Sequence, residues 1–184
     1  MAVVRQIRNL SVTDVINEKR EVGSPFFLFF LFKTSSLKFP VPVFHQHGVD
    51  VNLEVHGDFN TADTLGPIVE AFKQTPGAGI LWDIEHSDKT YGDNFMEFYT
   101  MIKPLLKHMH IKDYLRKKPD GAKDWTLVKV GDGEIPIVPI LKQVIADGYD
   151  GYFSFEWEKK WHPEIDEPEI AFPHFVRKMH EWID

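Results

Sequence analysis

The chain reads as an α/β protein built on a parallel sheet, with four βα units across residues 45–184, about half of a (β/α) barrel. Three observations predict this. Short runs rich in Val, Leu and Ile recur along that stretch, as buried strands do. Segments between them carry apolar residues at helical spacing. Each strand-like run also ends on or beside a residue that can do chemistry: Glu54, Asp83, His110 and Glu156. Alternating β and α elements favour parallel pairing with right-handed crossovers. Barrels of this kind place reactive groups at the carboxyl ends of their strands.

The elements follow in order. VDVNLEV (49–55) is the first regular strand. A helix over 62–75 puts Leu65, Ile68, Val69 and Phe72 on one stripe. Thr61 is its expected N-cap, and Pro76-Gly77 stops it. GILWDI (79–84) is the next strand, followed by a helix carrying Phe95, Phe98, Tyr99 and Ile102. The third strand covers 107–112. A polar loop through Pro119, Asp120 and Gly121 then leads to WTLVKV and the turn Gly131-Asp132-Gly133. Ile137, Ile140, Leu141 and Val144 mark a further helix. GYFSFEW (151–157) is the last strand, and Phe172, Phe175, Val176 and Met179 form the closing helical stripe. The acidic DEPE before it suits a helix N-terminus.

Residues 1–44 do not share this alternation and form an atypical segment. Its FFLFFLF run (26–32) is too short for a bilayer, which needs about 20 residues. It begins too late, after Glu18-Lys19-Arg20-Glu21, for an ordinary signal peptide. It reads as a buried strand or apolar patch; the alternative is that residues 1–43 are foreign to the fold, as in a fusion, with Ser35-Ser36 and the Pro40/Pro42 pair as the joint. No membrane role is expected. The 184 residues fall short of the roughly 250 of a complete barrel. A half-barrel has two open sheet edges and an unclosed core. A homo-oligomer, or pairing with a complementary half-barrel, is therefore expected. The isolated chain should be weak or inactive, because half of the pocket wall is missing.

Composition narrows the function. A net charge of −7 argues against nucleic acid, which selects for Lys and Arg. The absence of cysteine excludes disulfides and thiolate metal sites and fits the cytoplasm. Three carboxylates and one imidazole suit one divalent cation. Mn²⁺ is favoured, with Mg²⁺, Co²⁺ or Zn²⁺ as alternatives, since structural zinc prefers Cys and His. His108 shares a strand face with His110 and is the alternative ligand. Trp157 and Trp161 either wall a pocket or pack. His162 either reaches a substrate or lies on the surface. The Gly131-Asp132-Gly133 turn either offers N–H groups to a phosphate or is a plain turn.

GILWDIEH, HMHIKD and GYDGYFSFEWEKKWHP resemble the last third of the xylose-isomerase-like sugar isomerases and epimerases. That TIM-barrel superfamily also contains the endonuclease IV class. The resemblance covers residues 45–184. It implies that Glu54, Asp83, His110 and Glu156 bind one divalent ion. It places His86 of Asp83-x-x-His86 beside the substrate, and makes Arg116 the arginine that holds a substrate hydroxyl or phosphate. Trp161 and His162 join these as substrate-contact candidates. The implied activity is isomerisation or epimerisation of a small sugar or sugar phosphate, by proton transfer through an enediolate. Glu54 and Glu156 would be the acid/base pair, with His56, His86 and Lys112 supporting them. Two readings compete with this one. The first is a non-catalytic remnant or interaction module. The second is an endonuclease IV-type phosphodiesterase, disfavoured because DGAKDWTLVKV (120–130) lacks its histidine.

Overall fold

The structure, a computed structural model, describes residues 27–30, 41–117 and 125–183. Ser35-Ser36, Pro40 and the loop residues Pro119, Asp120 and Gly121 lie outside the described residues. Strand β1 (Phe27–Phe30) lies within the Phe-rich run and pairs in parallel with β2 (Asp50–Glu54). Helix α1 (Val41–Gln46) precedes β2 and buries Val41 and Phe44. These two pack with Val49, Val51 and Ala78 in a small separate cluster. The turn that leads out of the next helix runs close against α1. A Cβ on Gly77, whose φ is +83°, would lie 2.5 Å from the His45 Cβ.

Helix α2 (Ala62–Lys73) starts where Thr61 Oγ1 accepts the Thr64 N–H, as its side chain favours. Leu65 and Val69 are buried on its inner face, and Ile68 and Phe72 pack against the core. Strand β3 (Ala78–Asp83) is buried at all six positions. Two helices follow it where one was expected. Helix α3 (Ile84–Tyr91) precedes α4 (Phe95–Ile102), with a 3-10 turn at Gly92–Asn94 between them. The buried residues of α3 are Ile84, Glu85, Ser87 and Asp88. A helix with a polar inner face has no apolar stripe to reveal it.

Strand β4 (Leu106–Ile111) runs into β5 (Asp113–Leu115), which pairs antiparallel with β6 (Thr126–Val128). Helix α5 (Ile137–Ala146) buries Ile137, Ile140, Leu141 and Val144, the stripe read from the sequence. Strand β7 (Tyr152–Phe155) and helix α6 (Pro168–Ile183) complete the described chain. The sheet order is β1-β2-β3-β4-β7, parallel throughout. It does not close among the described residues, as a partial barrel requires, and β1 and β7 are its edges.

Helix α6 corrects one expectation. Met179 is buried and Phe175 stacks on Phe155, with ring centroids 4.7 Å apart. Phe172, whose ring meets Phe155 edge-on at 5.6 Å, and Val176 are about half exposed, so the expected stripe is only partly covered. Their helix lies over an edge strand, so only one side of its apolar face meets the core.

The main core fills the space between sheet and helices. Leu53, Ile80, Trp82, Met109 and Ile111 point into it. Trp82 is fully buried, stacks with Tyr99 at 5.6 Å and donates its indole N–H to Ser87 Oγ at 2.7 Å. Trp82→Ala should cost about 3–5 kcal/mol. Urea unfolding checks this, and a loss under about 1 kcal/mol would contradict it.

Asp113 organises the turn after β6. Its carboxylate accepts the N–H groups of Tyr114, Gly131, Gly133 and Ile135 at 2.8–3.2 Å. The Gly131-Asp132-Gly133 turn thus directs its two glycine N–H groups at its own chain. Asp113→Ala should destabilise by about 3 kcal/mol or more, because bonds to a charged acceptor each contribute about 1.5–3 kcal/mol. Asp113→Asn, which keeps one acceptor oxygen, should lose less. Equal losses in thermal unfolding would show that the carboxylate is not what holds the turn.

Candidate metal centre

Side chains alternate across a strand. The face opposite the core therefore receives Asn52 and Glu54 from β2, Leu81 and Asp83 from β3, and His108 and His110 from β4. The parallel register pairs Asp83 with His110, and His110 with Ser154. Glu54 and Asp83 end their strands, and Glu156 follows β7 with its N–H on the Ile111 carbonyl. The result is one cluster at the carboxyl ends. Glu54, Asp83, His110 and Glu156 each offer a ligand atom, all within 4.8 Å of one another.

Asp83 does two jobs. Its Oδ1 caps α3, accepting the N–H groups of Glu85 (2.9 Å) and His86 (3.3 Å). Its Oδ2 is buried without a hydrogen bond and faces Lys112 Nζ at 2.9 Å. Burial pushes the Asp83 carboxyl up to about 7, with Lys112 opposing the shift and Glu156 adding to it.

His110 Nδ1 lies 3.1 Å from both Glu54 Oε1 and Glu156 Oε2. Burial works against its protonation, but the Glu156 and Glu54 carboxylates outweigh it and lift the imidazole to about 9. Burial also opposes ionisation of Glu156. His110 and Lys112 overcome that and hold its carboxyl far below the usual range. Glu156 is the most accessible of the four, with its side chain 34% exposed against 6% for His110.

The alternative histidine is placed differently. His108 lies one layer deeper, with Nε2 2.7 Å from Ser154 Oγ. Burial and the neighbouring His110 push it down to about 4. It is not in the four-residue cluster.

His86 stands beside the cluster, with Nε2 3.8 Å from Asp83 Oδ2 and Glu85 Oε2. Burial, seconded by Lys112, lowers it to about 3, so the ring is neutral. It rests against the His56 ring at 3.8 Å.

Arg116 is engaged by its own chain: Nη2 lies 3.1 Å from both Asp88 Oδ1 and Asp93 Oδ1. With Asp88, Lys89, Tyr114 and Trp125 it lines an open cleft of about 250 Å³. Lys89 pairs with Glu85 and sits 4.0 Å over the Trp125 ring, so the cleft adjoins the cluster.

His162 reaches Glu158, Nε2 to Oε2 at 3.5 Å, and its ring lies 5.1 Å from that of Trp125. Trp161 is not drawn in. It is 70% exposed, with Lys160 Nζ over its ring. Trp157 packs on Phe155 and donates to the Asp166 carbonyl.

Sequence reading missed Glu85, Glu158, Lys89, Tyr114 and Trp125. Glu85 and Glu158 each lie two residues beyond a cluster carboxylate. That spacing was the available signal.

The donor set suits a hard divalent cation, with three carboxylates and one imidazole. The buried Asp83 Oδ2, which completes no well-formed hydrogen bond, fits such an occupant. No helix among the described residues is long and apolar enough to cross a membrane.

No curated protein matches the chain. Several solved structures share the fold. A xylose isomerase domain protein from Planctomyces limnophilus is 21% identical, with a TM-score of 0.60 over 90% of this chain and 63% of that one. A xylose isomerase-like TIM-barrel protein from Mycobacterium smegmatis, in complex with magnesium, is 16% identical with a TM-score of 0.58 over 77% and 57%. The probable 3-DHS dehydratase AsbF of Bacillus anthracis, involved in petrobactin synthesis, is 21% identical with a TM-score of 0.51 over 64% and 46%. The chain thus spans less than two thirds of the length of each. At these identities the likeness is one of fold. The sequence itself matches the xylose isomerase-like TIM barrel family over residues 34–175, and the chain belongs to that family.

Proposed function

We propose that this protein is a metal-dependent isomerase or epimerase of a small sugar or sugar phosphate. The observation that carries the reading is the convergence of Glu54, Asp83, His110 and Glu156 on one point at the carboxyl ends of β2, β3, β4 and β7. These four residues would hold one divalent cation, Mn²⁺ by preference, which supplies Lewis-acid polarisation of a carbonyl and its neighbouring hydroxyl.

The chain's own groups do the rest. Glu54 and Glu156 flank His110 from β2 and β7. They are the pair that takes a proton from one face of the carbon beside the carbonyl and returns one to the other, through an enediolate. Lys112, 3.0 Å from Glu156, keeps that carboxylate ionised and ready to accept. The neutral His86 imidazole orients a substrate oxygen as a hydrogen-bond partner. Arg116 and His162 stand along the adjoining cleft, where they would meet the far end of a substrate. Trp161 would take part only by turning in from the surface.

The test is isotope wash-in. A panel of ketoses and ketose phosphates, incubated in heavy water with the Mn²⁺-loaded protein, should gain deuterium at the carbon next to the carbonyl. A protein that binds Mn²⁺ at this cluster yet exchanges no panel member would favour the second reading, a non-catalytic metal-binding module. The sheet edges that stay open among the described residues support that second reading.

A further inference from the structure

Lys112 is almost wholly enclosed. It follows β4 directly, and its side chain is 1% exposed. Four carboxylates surround its ammonium: Asp83 Oδ2 at 2.9 Å, Glu158 Oε1 at 2.9 Å, Glu156 Oε2 at 3.0 Å and Glu85 Oε2 at 3.3 Å. Two of these residues, Asp83 and Glu156, also belong to the proposed metal cluster. The other two do not. Three donors bind divalent ions elsewhere in proteins and stand together here: Asp83, Glu85 and His86 have ligand atoms within 4.8 Å of one another.

An ammonium has three protons to donate. Four carboxylates exceed that capacity, and the geometry shows it. Glu158 receives a well-formed hydrogen bond, whereas Asp83 Oδ2 and Glu156 Oε2 meet the ammonium at 2.9 and 3.0 Å as ion-pair contacts of poorer hydrogen-bond geometry. The cage offers more oxygen donors, at closer quarters, than a lysine side chain can satisfy. Oxygen-rich, buried and multiply anionic, it has the character of a hard-cation site.

We propose that the Lys112 ammonium stands in for a second metal ion. It limits this centre to one divalent cation per chain and blocks a second site made by Asp83, Glu85, His86 and Glu158. Asp83 belongs to both donor sets. The inference rests on the one-ion reading given above. It adds that the count is set by a residue outside the four ligands.

The experiment counts Mn²⁺ by equilibrium dialysis and reads its spin coupling by electron paramagnetic resonance. The wild-type chain should bind one Mn²⁺ with an uncoupled six-line spectrum. Lys112→Met should bind two, with the broadened signal of a coupled pair. Glu85→Gln added to that variant should return the count to one, and Lys112→Arg should stay at one. Lys112→Met leaves four carboxylates, two of them buried, without their counter-ion, so its folding is followed by circular dichroism during Mn²⁺ titration. Folding rescued at two ions per chain supports the proposal. A Lys112→Met chain that stays unfolded at saturating Mn²⁺ overturns it, since the second ion is meant to replace the missing charge. One ion in folded Lys112→Met, or two in the wild type, also overturns it. A wild-type chain that binds none defeats the one-ion reading itself and is told apart by that count.

Discussion

Asp83→Ala is expected to weaken Mn²⁺ binding by at least about 100-fold. Loss of a supporting contact around a metal ligand already costs about 10–100-fold, and Asp83 is a candidate ligand with no exposed surface. Asp83→Asn separates its two jobs. It keeps an oxygen for the Glu85 and His86 N–H groups but loses the charge that faces Lys112. Both variants should lose the ion. Only the alanine variant should also lose the cap of α3, a further cost of about 1 kcal/mol. Calorimetric titration gives the first quantity and thermal unfolding of the metal-free protein the second. Unchanged affinity in both variants would remove Asp83 from the site.

The second large effect is expected at Glu156. Glu156→Gln should reduce deuterium wash-in by about 10²–10⁴-fold, the range a positioned acid or base contributes. Glutamine keeps the shape and one oxygen donor, so Mn²⁺ should still bind, though more weakly. Glu54→Gln should lose exchange as well if the two carboxylates work on opposite faces. Exchange retained in Glu156→Gln with metal bound would assign the proton transfer elsewhere. Loss of exchange only in parallel with loss of Mn²⁺ would reduce Glu156 to a ligand.

Strands β2, β3, β4 and β7 were legible because each is a short apolar run with its chemistry at or just beyond one end, whereas the three-residue β5 was too short to be read. Residues 79–84 were read as a strand, and Ala78–Asp83 is one. Helix α2 was legible from Thr61 and from the Leu65/Val69 stripe. The four cluster residues were nameable because a parallel sheet brings successive strand ends together. Helix α3 was invisible for the reason that makes it interesting. Its inner face carries Glu85 and Asp88, which meet Lys112 and Arg116 instead of a core. Hydrophobic periodicity cannot report a helix packed through charge. The stripe of α6 is only partly covered, with Phe172 edge-on to Phe155 yet half exposed and Val176 half exposed, because periodicity fixes a stripe but not what covers it. Lys112 was noted as a supporting residue, yet its four carboxylate neighbours come from two distant stretches of chain, 83–85 and 156–158, that no local pattern links to it.

The placement of the cluster also bears on how the chain holds together. Its four residues are supplied by β2, β3, β4 and the end of β7, so no single segment contains the site. It exists only once every one of those strands has docked in register, and such long-range pairing is the slow part of building a sheet. An ion bound there would tie four strands at one end like a staple. Its binding energy would then become cohesion of the sheet itself. In a closed barrel that staple would be redundant with the ring of strands. In the sheet of the described residues it joins the interior strands to β7, which pairs on one side only.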